Sequence, residues 1–179
     1  MGMGGYHLIT CKYGGVPVWT HNTIVQTWSE CLSQLHVVHK IEPRHRFLDC
    51  DSRPDIYIYV VDPDFSKEVE LGISLAHPWA LDALPKAALE DGTAAARREM
   101  LKNDKCTKKA RSCGTMLNFI PLVMKHIGQW GQEAQEYLNQ LSSTATWTTE
   151  CRQDEFKNYW RTRFSMRCNS AMQECDCRR

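Results

Sequence analysis

Arg53-Pro-Asp-Ile-Tyr-Ile-Tyr-Val-Val-Asp-Pro-Asp-Phe-Ser-Lys-Glu-Val-Glu-Leu-Gly-Ile-Ser-Leu-Ala-His-Pro-Trp79 contains two runs that alternate with period two. In the first, Ile56, Ile58 and Val60 share one side and Asp55, Tyr57 and Tyr59 the other. In the second, Val69, Leu71, Ile73 and Leu75 oppose Glu68, Glu70, Gly72 and Ser74. Such alternation predicts half-buried strands. Asp62-Pro63-Asp64 between them supplies turn chemistry, because proline fixes φ and aspartate bonds its own backbone. The stretch therefore predicts a β-hairpin with one apolar face and one face carrying Asp55 and Glu70. Two readings follow: acidic groups on adjoining strands that hold a divalent cation, or an amphipathic hairpin with a solvated acidic face.

Register decides which carboxylates can cooperate. If the hairpin closes with Val61 opposite Glu68, Asp55 faces Ser74. Residue 72 then lies one same-face step away, within about 7–8 Å of Asp55. Glu70 lies roughly 13 Å from that pair along the strand. A glycine at 72 leaves the nearer position without a carboxylate, and as a bulge signal inside a strand it also allows a shifted register that would bring Glu70 closer.

Working outward, residues 20–36 predict a helix with Thr20 as N-cap and Ile24, Val25, Trp28, Cys31, Leu32 and Leu35 on one face. Residues 37–42 alternate as a short strand ended by Pro43, and 46–50 form another candidate strand. Downstream of the hairpin, Thr93 caps a helix running to about Ala110. Phe119–Met124 reads as a buried strand, which Pro121 places at a sheet edge or bulge. Gly128 and Gly131 flank Trp130 ahead of a helix carrying Ala134, Leu138 and Leu141. Residues 142–150 read as a hinge or loop, and 152–172 as a last helix followed by a loose tail. This order predicts an α/β domain, a mixed β-sheet flanked by helices.

With 179 residues the chain has the length for one domain with a sizeable core. The formal net charge is only +1, but basic residues cluster. Residues 97–111 carry seven Lys/Arg against Glu99 and Asp104. Arg98, Lys102, Lys105 and Lys109 fall on one helical face, a candidate phosphate-binding stripe or a solvated charged face. Nine cysteines, an odd number, without an apolar N-terminal leader argue for reduced thiols and an intracellular chain. No apolar run approaches a membrane span, so no membrane partner is expected. His7 and Cys11 are spaced as half a zinc site. Four ligands are needed, so zinc is not expected there. His21 and His77 read as capping or structural histidines, and Trp79, Trp130 and Trp160 as core.

Several motifs occur together in an order that resembles a known family. His7-Leu-Ile-Thr-Cys11, Gly14-Gly15 and Thr20-His21-Asn22 are followed by Glu42-Pro43 and Arg53-Pro54-Asp55. Then come Ser74-Leu-Ala-His-Pro-Trp79, Ala94-Ala-Ala-Arg-Arg-Glu99, Lys102-x-x-Lys105 and Phe119-Ile-Pro-Leu-Val123 with Gly128-Gln-Trp-Gly131. Over roughly residues 5–170 the chain resembles the restriction-like endonuclease region, of the PD-(D/E)XK type, found at the C-terminal end of some non-LTR retrotransposon polyproteins. The resemblance implies a restriction-endonuclease-like fold that cuts DNA with Mg²⁺ or Mn²⁺, in the nucleus. It makes Asp55 the motif aspartate, Glu42 a further acid and Lys102 and Lys105 the lysine element, with Cys106 where the family has tyrosine. The implied catalytic set is Asp55, Glu70, Lys102 and Lys105; the implied metal ligands are Glu42, Asp55 and Glu70. Similar sequences carry aspartate where this chain has Gly72, so Glu70 is the nearest substitute. The implied organisation is a zinc-knuckle-like remnant over 1–19, the core over 20–142, and a linker with a basic C-terminal helix over 143–179. The alternative is a DNA-binding or structural relic that does not cleave.

Overall fold

The computed structural model describes residues 16–43, 54–59, 68–76, 92–112, 118–125, 129–148 and 151–176. Helix α1 (Val16–Gln34) buries Ile24, Val25, Trp28, Cys31, Leu32 and Leu35, the apolar face legible in the sequence. It starts four residues before Thr20, which lies buried inside it rather than capping it. His36 ends it with φ 57°, and Val37 N–H reaches back to Leu32 C=O at 3.0 Å. That is the left-handed C-terminal turn usually given to glycine.

Strands β1 (His39–Ile41), β2 (Ile56–Ile58) and β3 (Val69–Ala76) precede helix α2 (Thr93–Ser112). Strand β4 (Asn118–Lys125) and helices α3 (Gln132–Thr148) and α4 (Gln153–Asp176) complete the chain. The sheet order is β1-β2-β3-β4. The first three strands pair antiparallel, and β3 pairs with β4 in parallel. A parallel neighbour needs a crossover, and α2 lies within it. The architecture is a mixed four-stranded sheet with flanking helices, the expected α/β class.

The sheet's two faces differ. Ile56, Ile58, Leu71, Ile73, Leu122 and Met124 join the side chains of α1, α3 and α4 in the main core. Ala76 and Val123 on the opposite face meet Ala95 of α2 in a small second cluster. Pro121 stands on the outer strand β4, where a missing donor on the open side costs no ladder bond.

Three further expectations change. The hairpin register pairs Ile56 with Leu71 and Ile58 with Val69, two residues from the Val61–Glu68 closure. A two-residue slip keeps every side chain on its face, so alternation alone could not detect it. Residues 142–148 continue α3 instead of forming a hinge, because Ser142 and Ala145 are buried and Ser142 Oγ donates to Asn139 C=O at 2.7 Å. Helix α4 runs on to Asp176, past the expected end, and sends Phe156, Trp160, Phe164 and Cys168 into the main core. Two of its basic residues, Arg163 and Arg167, pair with Glu30 of α1. Arg163 donates to Glu30 of α1 at 2.6 Å, and Trp160 Nε1 donates to Gln34 Oε1 at 3.1 Å. The Asp62-Pro63-Asp64 turn, residues 46–50, His7, Cys11, His77 and Trp79 lie outside the described residues.

Candidate functional site

Strand β2 stops short of β3. The pairing ends at Ile56 with Leu71, and Asp55 leaves the register by donating its N–H to that same Leu71; beyond it β3 has no antiparallel partner among the described residues. The N–H and C=O of one strand residue point to the same side, so both groups of Ile73 would be left without a partner there. Two side chains take them. Asp55 Oδ2 accepts the Ile73 N–H at 2.6 Å, and Lys102 Nζ donates to Ile73 C=O at 3.1 Å. Asp55 N–H itself donates to Leu71 C=O at 3.1 Å. Pro54, with no donor, precedes it.

Around this clamp the charges close up. Lys102 Nζ lies 3.7 Å from Asp55 Oδ2, with both side chains about three-quarters or more covered. His21, in the second turn of α1, places Nε2 3.2 Å from Asp55 Oδ1. Burial pulls the Lys102 ammonium below the usual lysine range, and the Asp55 carboxylate opposes that shift. Ser74, buried on the same strand face as Gly72, accepts from Arg98 Nε at 3.4 Å.

Position 72 is closed by a ring. A Cβ at Gly72 would collide with Phe119 Cζ and Cε2 and lie 3.6 Å from Lys102 Nζ. Phe119 belongs to β4, and its ring covers the bare glycine of the neighbouring strand.

The structure therefore brings together Asp55, Lys102, His21, Gly72 and Phe119. It does not gather the other expected ligands around Asp55. Glu70 is buried opposite Tyr57, one same-face step from Gly72. Glu42 donates its backbone N–H to Asp55 C=O at 3.0 Å, but it is an exposed residue with φ 41°. Lys105 is exposed on α2, and the Lys109 side chain lies outside the described residues. Of the expected basic stripe, Lys102 is turned into the site, while Arg98 and Lys105 remain exposed.

Mg²⁺ or Mn²⁺ calls for several oxygen ligands converging on one point. Among the described residues no three His, Cys, Asp or Glu side chains are grouped to hold a metal ion. Asp55 carries an imidazole on one oxygen and a backbone N–H on the other. Among the described residues the cluster offers one carboxylate, one imidazole and one ammonium, fewer oxygen ligands than a hard cation takes.

Compared with models of known protein families and with curated proteins, the chain matches none. Among the described residues no helix is long and apolar enough to cross a membrane.

Two residues of this cluster are not legible as site residues in the sequence. His21 reads there as a capping or packing histidine, yet it meets Asp55. Its place in the Thr20-His21-Asn22 run is the available signal. Phe119 reads only as part of an apolar strand, and nothing in its local pattern links it to residue 72. Trp160 belongs to the core, as expected, and Trp130 is partly buried and packs against it. Trp130 packs edge-on against Trp28 and Phe164, and Trp160 is buried against Phe156 and Phe164.

Proposed function

We propose that the chain is a DNA-binding domain on a restriction-endonuclease-like frame whose hydrolytic centre lacks its second carboxylate. The observation that carries this reading is Gly72 beside Asp55 with the Phe119 ring over it. An acid at 72 would share a cation with Asp55. Glycine cannot, and the aromatic ring takes its space. The frame of the reading rests on the ordered motifs together with the meeting of Asp55 and Lys102, residues 47 positions apart in sequence, at 3.7 Å. Exposed Arg98 and Lys105 on α2 supply positive charge for phosphate contacts, which position a protein on DNA without reading sequence.

A second reading, slow DNA cleavage, is favoured by the same Asp55–Lys102 proximity, since a lysine beside the motif aspartate is what such a centre uses. Plasmid nicking with Mg²⁺ and Mn²⁺, run beside duplex binding by fluorescence anisotropy, separates the two. Binding without nicking supports the first reading. Nicking abolished by Asp55→Asn supports the second, and failure to bind duplex DNA at low salt sinks both.

A further inference from the structure

We propose that the Lys102 ammonium is a built-in cation, occupying the place between Asp55 and position 72 where a shared divalent ion would sit. Its Nζ lies 3.7 Å from Asp55 Oδ2, 3.1 Å from Ile73 C=O and 3.6 Å from where a side chain at 72 would begin. Those are the groups that a cation bridging the two strands would use. The ammonium supplies the positive charge, and its donors satisfy the carbonyl that β2 leaves uncovered. The Phe119 ring closes the remaining opening.

This assigns Lys102 a positioning role that is independent of DNA. Asp55 is drawn to the ammonium on one side and holds Ile73 N–H and His21 on the others. A divalent ion entering here would meet a fixed like charge at close range with a single carboxylate to offset it. Such an ion is disfavoured because like charges a few ångströms apart repel strongly in a partly covered site. Removal of the ammonium reverses the situation. Asp55 and Ile73 C=O then present oxygen atoms to an open place, and a hard cation is the natural replacement.

The test uses the whole chain and manganese alone. Lys102→Met keeps the length of the stem and deletes the charge. Its melting temperature is expected to fall by roughly 4–8 °C. Millimolar Mn²⁺ is expected to recover part of that loss in Lys102→Met and to leave wild type and Lys102→Arg unmoved. Titration of wild type followed by Mn²⁺ electron paramagnetic resonance is expected to show no site that depends on Asp55. That arm stands even where Lys102→Met fails to fold. A wild-type manganese site abolished by Asp55→Asn overturns the proposal. So does a Lys102→Met protein as stable as wild type, or one that manganese stabilises no more than it stabilises wild type. None of these readouts involves DNA, so they leave the DNA-binding reading to its own assay.

Discussion

Asp55 Oδ2 accepts the backbone N–H of Ile73 at 2.6 Å. A side chain thereby extends the β2–β3 ladder past the end of β2. The residue that the sequence singles out for chemistry is also a structural bolt, and any experiment on it reads both roles.

Asp55→Ala leaves the Ile73 N–H without its acceptor and the Lys102 ammonium without its counter-charge. A hydrogen bond to a charged group is worth about 1.5–3 kcal/mol, and a buried orphan donor adds its own cost. Urea denaturation is expected to show a loss of about 2–3 kcal/mol for Asp55→Ala. Asp55→Asn, whose amide oxygen still accepts, is expected to lose less. Equal losses would show that the N–H bond contributes nothing to the difference.

Gly72→Asp alone forces the Phe119 ring aside. Overpacking of this kind typically costs about 1–3 kcal/mol. The single variant is expected to be destabilised and to gain little Mn²⁺-dependent nicking. Combined with Phe119→Ala, the new carboxylate has room and, with Asp55, gives the two negative charges with which a divalent ion can displace the Lys102 ammonium from its place. Nicking by the double variant is expected to exceed that of either single variant. A Gly72→Asp protein with unchanged stability would show that the ring moves freely and does not close the site.

On duplex DNA, deleting one cation that binds a phosphate lowers the log–log salt slope by about 0.9. Lys105→Ala and Arg98→Ala are each expected to show a decrease of that size. Lys102→Ala is expected to keep the wild-type slope and to lower the melting temperature instead, because Lys102 is committed to Asp55 and Ile73. Anisotropy titrations over a range of salt give the slopes. A flattened slope for Lys102→Ala, with stability unchanged, would return Lys102 to the phosphate-binding face.

Glu99 of α2 gives a pH dependence. Its buried carboxylate accepts the Glu133 N–H at 3.2 Å, capping the start of α3, and a Cβ at Gly131 would collide with it. Desolvation raises its pKa above the ordinary glutamate value, Glu133 and Glu136 push the same way, and the backbone hydrogen bonds oppose them. The folded state therefore binds this proton more tightly than the unfolded state does. The Glu99 contribution is fully present below the ordinary carboxylate range and is lost as pH rises through the raised folded value. Glu99→Gln keeps an acceptor and removes the charge, so its stability is expected to change less with pH across that window. Parallel denaturation curves for the two proteins at every pH would refute the assignment.

The sequence by itself determined the elements and their faces. Period-two alternation marked the apolar sides of β2 and β3, and the spacing of Ile24, Trp28, Leu32 and Leu35 marked the buried side of α1, because burial imposes those periods on the chain. It also marked Asp55 and Lys102 as residues to watch, through their place in an ordered set of motifs. What it left open was register and distance. A two-residue slip preserves alternation, so only the folded pairing and the bonds of Asp55 to Leu71 and Ile73 set it against the stretch around Gly72 rather than Ser74. His21, Lys102 and Phe119 come from three different elements and reach one point only when α1, α2 and β4 pack on the sheet. The end of α3 was decided the same way: its Ser and Thr residues suggest a loop locally, and burial of Ser142 and Ala145 keeps them helical. Local pattern reports which side of an element is buried. What that side meets depends on contacts between residues far apart in the chain, and those exist only in the assembled fold.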